Sequence, residues 1–265
     1  MVISIVTLNY KKKELTLACM TSLFEQFAQE FAQDKIELII VDNDSQDDSV
    51  DVLNQEITTK QYKNVQLIAN DSNAGFAAGC NKGAQASIGE YILFLNNDTV
   101  VKDKSIFEMA HFLATHSEAS ILGGQMKNFD GTLQPCAGTF YTLWPAFLLL
   151  IGGHKLGLLD KSPKQVKKVD WVKGGMLLIR KEVFKRLGGF DEKIFMYIED
   201  MELCYRASQS GYAVYFFPNA FVLHKDQGSS NKMCIRDRHR RKWLPFTLRK
   251  SCTSRFRPQY PLSPY

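Results

Sequence analysis

The sequence predicts an α/β fold: a Rossmann-like, mostly parallel sheet with helices on both faces, in a single domain. Three observations predict it. Strand-like runs alternate with amphipathic helical segments through residues 1–127. The run Tyr91-Ile92-Leu93-Phe94-Leu95 is apolar without a break, as expected of a strand buried on both faces. Each strand-like run ends in polar residues, and in an open α/β sheet ligands bind beyond the carboxyl ends of the strands.

Residues 2–8 read as the first buried strand and end at Asn9-Tyr10. Residues 11–28 carry Leu15, Cys19, Leu23 and Phe27 near a helical period. Residues 36–41 form the second strand, followed by Asp42-Asn43-Asp44-Ser45 and a helix to about residue 57, with Asp47 and Ser49 as candidate caps. Residues 65–69 are the third strand; Asn73-Ala74-Gly75 then opens a helix to residue 86. The fourth strand, at 91–95, stops at Asn96-Asn97-Asp98. A helix at 104–115 and a strand at 120–127 follow, then a turn at Asn128-Phe129-Asp130-Gly131. Residues 132–168 predict an irregular loop with a short hydrophobic helix. Residues 169–179 are strand-like but broken by Gly174-Gly175. Helices are expected at 181–187 and 198–210, and strands at 213–217 and 220–223, separated by Pro218-Asn219.

The net charge of +5 belongs to the end of the chain. From Asn231 onward there are ten Lys/Arg and one Asp, so that segment carries +9 and residues 1–230 carry −4. Periodicity vanishes after Ser230, and residues 231–265 are expected to be disordered, or an assembly artefact beginning near Lys232. With no aromatic-interleaved or groove-reading motif, no nucleic-acid partner is expected. The six cysteines are scattered without a Cys-x-x-Cys pair, against a zinc site or a disulfide framework. The longest purely apolar run, 146–151, is far short of the ~18 residues a membrane span needs. The first residues lack a signal-peptide pattern, and a cytoplasmic protein is expected.

The polar ends combine into a larger pattern. Thr7-Leu8-Asn9-Tyr10, Asp42-Asn43 with Ser45, Asn73 with Gly75 and Asn81, and Asn96-Asn97-Asp98 follow the predicted strands. Further on come Trp171 to Met176, Gly188-Gly189-Phe190-Asp191, Glu199-Asp200 with Arg206, and His224 with Gly228 and Ser230. In this order they resemble the family 2 glycosyltransferases of the GT-A fold, and within them a rhamnosyltransferase-like branch. The resemblance covers about residues 1–230, with residues 1–127 as the nucleotide-sugar-binding half and 128–230 as the acceptor and catalytic half.

The resemblance implies transfer of a sugar, with inversion, from a nucleoside-diphosphate sugar (dTDP- or UDP-linked) to a hydroxyl of a growing, lipid-linked cell-surface glycan. Peripheral membrane association goes with such an acceptor. It implies a divalent metal, Mn²⁺ or Mg²⁺, held by Asp98 and His224; the family's acidic triplet is reduced here to a single carboxylate. Asp200 matches the catalytic base, with Glu199 beside it orienting the acceptor or capping the helix. Thr7, Asn9, Asp42, Asn73, Gly75, Asn81, Asn97, Gly174 and Gly175 match the donor-binding positions. For Arg206 the residues favour an ion pair with Glu202, one turn earlier.

Two other readings compete. A catalytically impaired nucleotide-sugar-binding module would follow from the reduced acidic motif. A sugar nucleotidyltransferase would need a Gly-rich, basic loop after the first strand, where Leu8-Asn9-Tyr10-Lys11-Lys12 stands instead. No Gly-x-Gly-x-x-Gly follows that strand, against a dinucleotide dehydrogenase.

Overall fold

A computed structural model describes residues 3–140 and 162–225. The expected hydrophobic helix between residues 132 and 168 and the basic tail therefore lie largely or wholly outside the described residues. The strands are β1 (Ile3–Asn9), β2 (Ile36–Asp42), β3 (Val65–Ala69), β4 (Tyr91–Leu95), β5 (Thr99–Val101), β6 (Ala119–Lys127), β7 (Ala137–Gly138), β8 (Lys167–Val169), β9 (Trp171–Val172), β10 (Met176–Arg180) and β11 (Ala213–His224). The described helices are α1 (Lys13–Ala32), α2 (Ser49–Thr59), α3 (Phe76–Ala86), α4 (Ser105–Thr115), α5 (Lys181–Arg186) and α6 (Glu199–Gln209).

Nine strands form one sheet in the order β3-β2-β1-β4-β10-β6-β11-β5, with β8 also on β11. β1 to β4, β6 and β11 run in one direction, while β5, β8 and β10 run against them. The mostly parallel α/β architecture is therefore as the sequence predicts. The helices lie on both faces, and strand parity shows it. Thr16 of α1 bonds the side chain of Asn9, whereas Gly79 of α3 sits against Leu8, and successive strand residues point to opposite faces.

β4 is buried along its whole length, as its apolar run predicts. Phe94 meets Phe184 and Phe190 at ring-centroid distances of 5.1 and 4.8 Å, which fastens α5 and the turn after it to the centre of the sheet. α2 and α4 open in the same way: Asp47 and Asp103 each accept the backbone N–H two residues on, at 2.9 Å, while the Ser49 side chain has no partner.

Several elements differ from the sequence reading, β7 and β8 among them, which form within or at the end of the stretch read as an irregular loop. Residues 213–224 form one strand, because its register against β6 slips between Phe217 and Phe221. Pro218 has no N–H to donate, and an irregularity is where a strand tolerates it. The stretch around Gly174-Gly175 divides between sheets: β9 pairs with β7, and β10 enters the main sheet between β4 and β6. β5 was not expected, since three residues carry no readable period. It pairs antiparallel with the end of β11, placing Thr99 opposite His224. Among the described residues no helix is long and apolar enough to cross a membrane.

Truncating Phe94 would leave a void against the two remaining rings, Phe184 and Phe190. Phe94→Ala is expected to cost about 3–5 kcal/mol, read as a lower urea midpoint. A loss below about 1 kcal/mol would show that the ring cluster is not part of the tightly packed core.

Candidate active site

A cavity of about 530 Å³ opens at the carboxyl ends of the central strands. Asn96, Asn97 and Asp98 line one side after β4, with His224 from the end of β11. Lys173, Gly174 and Gly175 line it from the β9–β10 crossing, and residues 196–201 with Glu199 and Asp200 close the other side. Seven predicted site residues thus share one space: Asn97, Asp98, Gly174, Gly175, Glu199, Asp200 and His224.

The backbone sets this convergence. Asn96 N–H donates to the Gly175 carbonyl at 3.1 Å, and Lys225 N–H donates to the Asp98 carbonyl at 3.0 Å. Asp98 Oδ1 lies 3.2 Å from His224 Nε2 and has no hydrogen-bond partner, although the side chain is almost wholly buried. The other ring nitrogen, Nδ1, is 2.9 Å from Gln134 Oε1. A buried carboxylate oxygen without a donor, beside an imidazole nitrogen, is a donor set that suits a divalent cation. The residues present therefore fit the implied metal, although among the described residues no group of three or more His, Cys, Asp or Glu converges. A cation held by Asp98 and His224 would take its remaining oxygens from water or a ligand.

Opposite, Asp200 Oδ2 accepts the Gly174 N–H at 2.7 Å, and Oδ1 accepts the Met201 N–H at 2.7 Å. Burial pushes the Asp200 carboxyl up, opposed by these two N–H groups and by Lys173. Glu199 is pushed up to about 7 by burial and then by the Asp200 charge, and its Oε2 has no partner. Just before it, Tyr197 and Ile198 hold φ of 66° and 72°, the left-handed region that disfavours a β-branched residue. Both are more than half exposed at the cavity mouth, with Phe195 beside them. Strain of this kind collects at ligand-binding segments.

The other predicted residues lie behind the cavity wall. Asn97 Nδ2 donates to Thr16 Oγ1 at 2.9 Å, and Thr16 donates to Asn9 Oδ1 at 2.8 Å. Asn9 Nδ2 donates to Asp42 Oδ2 at 2.6 Å, and the Ser45 N–H and hydroxyl close the chain on the same carboxylate. Asn9 and Asp42 are buried register partners, spent on each other. Thr7 is buried with an unpartnered hydroxyl. Asn73 Oδ1 accepts from Asn43 Nδ2 at 2.7 Å and from the Gly75 N–H at 3.0 Å. Gly75 has φ +99°, and a Cβ there would lie 2.5 Å from the Phe195 carbonyl oxygen, which accepts the Phe76 N–H. Gly75 thus lets the start of α3 seat the strained segment.

Asn81 is turned away from the cavity. Its amide bonds both the N–H and the carbonyl of Phe190, each at 2.9 Å, and Glu192 at 3.0 Å. Arg206 grips the same turn: it pairs with Glu202 at 2.6 Å, as favoured from sequence, and donates to Gly189 O at 2.7 Å. Both side chains are engaged by this turn. Thr16 and Gln134 were not singled out from the sequence. A mid-helix Thr and a Gln after a turn carry no local signal; only the fold brings them to Asn97 and His224. Phe76, Met126 and Trp171 complete the lining. A second cavity, of about 420 Å³, lies beside Tyr91 and Lys181 at the other edge. There Arg180 and Lys181 are engaged by backbone carbonyls, Arg180 on Ala119 at 3.0 Å.

Glycosyl transferase family 2 matches residues 4–188, well over half of the chain, and the chain belongs to that family. It is a glycosyltransferase. The N-terminal domain of galactosyltransferase, a second family, matches residues 164–227. The chain is 25% identical over 259 residues to the N-acetylglucosaminyl-diphospho-decaprenol L-rhamnosyltransferase of Mycobacterium tuberculosis, covering 83% of this chain and 82% of that one. Two solved glycosyltransferases share the GT-A fold. S. aureus TarS in complex with UDP-GlcNAc superposes with a TM-score of 0.59 at 16% identity, over 85% of this chain and 59% of that chain. The mannosyltransferase PcManGT from Pyrobaculum calidifontis, in complex with GDP-Man and Mn²⁺, gives 0.60 at 15% identity, over 85% and 58%. The chain thus spans less than two thirds of the length of either structure.

Glu199 makes stability depend on pH. Its carboxyl is raised in the folded state, to about 7, so its stabilising effect is complete below the unfolded-state value and is lost as pH rises through the folded one. Glu199→Gln is expected to unfold with little of that pH dependence and to exceed wild type by about 3 kcal/mol above neutrality. Parallel urea curves at pH 5 and pH 8 check it; an identical pH slope in both proteins would place Glu199 in an ordinary solvated environment.

Proposed function

We propose that the protein transfers a sugar, rhamnose or a similar hexose, from a nucleoside-diphosphate donor to a hydroxyl of a lipid-linked cell-surface glycan, with inversion. The observation that carries this reading is the pairing, across one cavity, of a partnerless Asp98 oxygen beside His224 with the buried, N–H-oriented carboxylate of Asp200. The rhamnosyl and lipid-linked parts follow the Mycobacterium tuberculosis relative, whose name describes a rhamnosyltransferase acting on a decaprenol-linked acceptor. The divalent metal follows PcManGT, solved with GDP-Man and Mn²⁺.

In this proposal the donor diphosphate lies by Asp98 and His224 and the acceptor by Asp200. A bound Mn²⁺ or Mg²⁺ would offset the charge that gathers on the departing diphosphate. The acceptor oxygen forms a bond to the anomeric carbon as the bond to the diphosphate oxygen breaks. The electron pair leaves with the nucleoside diphosphate, and the hydroxyl proton passes to Asp200. Gly174 and Met201 N–H groups keep that carboxylate aimed, while burial raises its affinity for the proton. Attack opposite the leaving group inverts the anomeric centre. Gly174 and Gly175 give the sugar a wall without side chains. Asp42 and Asn9 act from beneath, keeping the ends of β1 and β2 in register for the nucleotide. The exposed Phe195, Tyr197 and Ile198 meet the acceptor, and with it the membrane surface.

Thermal unfolding of the full chain with UDP, dTDP, GDP and CDP, each with and without Mn²⁺, tests the donor site. One nucleotide is expected to raise the midpoint only with Mn²⁺, and Asp98→Ala to abolish the shift. No shift with any of them would overturn the reading. Asp200→Asn is expected to bind the same nucleotide yet lose transfer by about 10²–10⁴-fold. Full transfer in that variant would remove Asp200 as base, and binding without transfer in wild type would favour the impaired module.

A further inference from the structure

We propose that Gln134 is a positioning residue: it fixes the tautomer of His224 so that the ring turns its Nε2 lone pair toward Asp98. That Nε2 then serves a divalent cation rests on the function proposed above. The tautomer itself rests only on a chain of hydrogen bonds whose direction is set at its far end.

The chain starts at the turn after β6. The Asp130 carboxylate is held below the usual carboxylate range by the hydroxyl and N–H of Thr132. Ionised, it can only accept. It accepts the Thr132 hydroxyl at 2.6 Å. With its proton committed there, Thr132 Oγ1 accepts from Asn128 Nδ2 at 2.8 Å. That bond orients the Asn128 amide and turns its Oδ1 toward Gln134. Gln134 Nε2 donates to Asn128 Oδ1 at 2.6 Å and to the His224 carbonyl at 3.2 Å. Both partners are acceptors, so the Gln134 amide is oriented as well, and its Oε1 faces His224 Nδ1 at 2.9 Å. A carbonyl oxygen can only accept, so Nδ1 carries the proton. A neutral imidazole has one N–H, which leaves a lone pair on Nε2.

The far side of the ring agrees independently. Asn96 Nδ2, a donor, lies 3.3 Å from Nε2. Asp98 Oδ1 lies 3.2 Å from the same Nε2 and has no assigned hydrogen-bond partner, so a lone pair on Nε2 would leave two acceptors facing each other, the arrangement a cation between them relieves. The other tautomer would instead donate from Nε2 to Asp98 and leave Nδ1 without a proton for Gln134, so the ring shifts decide between them. Gln134 is itself buried, which shelters the bond from water.

The test uses the full chain without metal near pH 8. Ring-nitrogen NMR shifts of His224 are expected to report the Nδ1–H tautomer in wild type. In Gln134→Leu, which removes the acceptor, they are expected to move toward Nε2–H. Mn²⁺ titration of the same samples is expected to show Kd raised about 10–100-fold in Gln134→Leu. An Nε2–H tautomer in wild type would overturn the proposal. So would a leucine variant with wild-type tautomer and Kd. Wild-type protein that binds no Mn²⁺ would overturn the metal reading, while the ring shifts still decide the tautomer.

Discussion

The structure depends on β4 being hydrogen-bonded on both sides and buried on both faces. Its backbone groups have no access to water, so each must find a partner in β1 or β10. That requirement fixes the register of both neighbours and, through the Asn96 N–H bond to Gly175, extends past the end of the strand. Asp98 is therefore held three residues beyond a strand that cannot shift. The antiparallel entry of β10 places Gly174-Gly175 beside it, and β5 ties the end of β11 to the same point. The centre of the sheet thus sets the geometry of the site, although no side chain of β4 itself reacts.

Buried polar groups in this protein divide into two kinds. The chain from Asn97 through Thr16, Asn9 and Asp42 to Ser45 is closed, each group spending its donors and acceptors on its neighbours. Asn43 links Asn70 and Asn73 across the ends of β2 and β3, with Asn70 Oδ1 left without a partner. Such networks stiffen the floor of the cavity. Asp98 Oδ1 and Glu199 Oε2 are different: buried, partnerless and on cavity-lining residues. Leaving an acceptor unpaired costs about 1–3 kcal/mol, which a fold keeps where a ligand supplies the missing partner. The left-handed Tyr197 and Ile198 add strain at the same place. At the cavity two open carboxylate acceptors and two left-handed residues coincide.

Much of this was legible in the sequence. Alternating periods and the apolar run at 91–95 announce the sheet, and polar residues after each strand mark the edge where ligands arrive. Asp98, Glu199, Asp200 and His224 are readable as chemistry because each sits in a motif. Asn81 and Asp42 stand in equally suggestive positions, yet one clasps the turn at Phe190 and the other is enclosed by Asn9 and Ser45. A local motif records which residue type is needed, not which way its side chain turns. Gln134 and Thr16 are the converse, invisible locally because their partners lie 90 and 81 positions away.

By itself the sequence determined the fold class, most of the long strands and the edge where polar residues gather, since these follow from hydrophobic period and from chain stops, which are local. Only the tertiary structure decided that 213–224 is one slipped strand, that three residues after Asp98 pair with its far end, and which polar residues face the cavity. Those outcomes depend on register between distant strands. Register is set by the sum of all backbone pairings and packed faces, and no single stretch of sequence contains it.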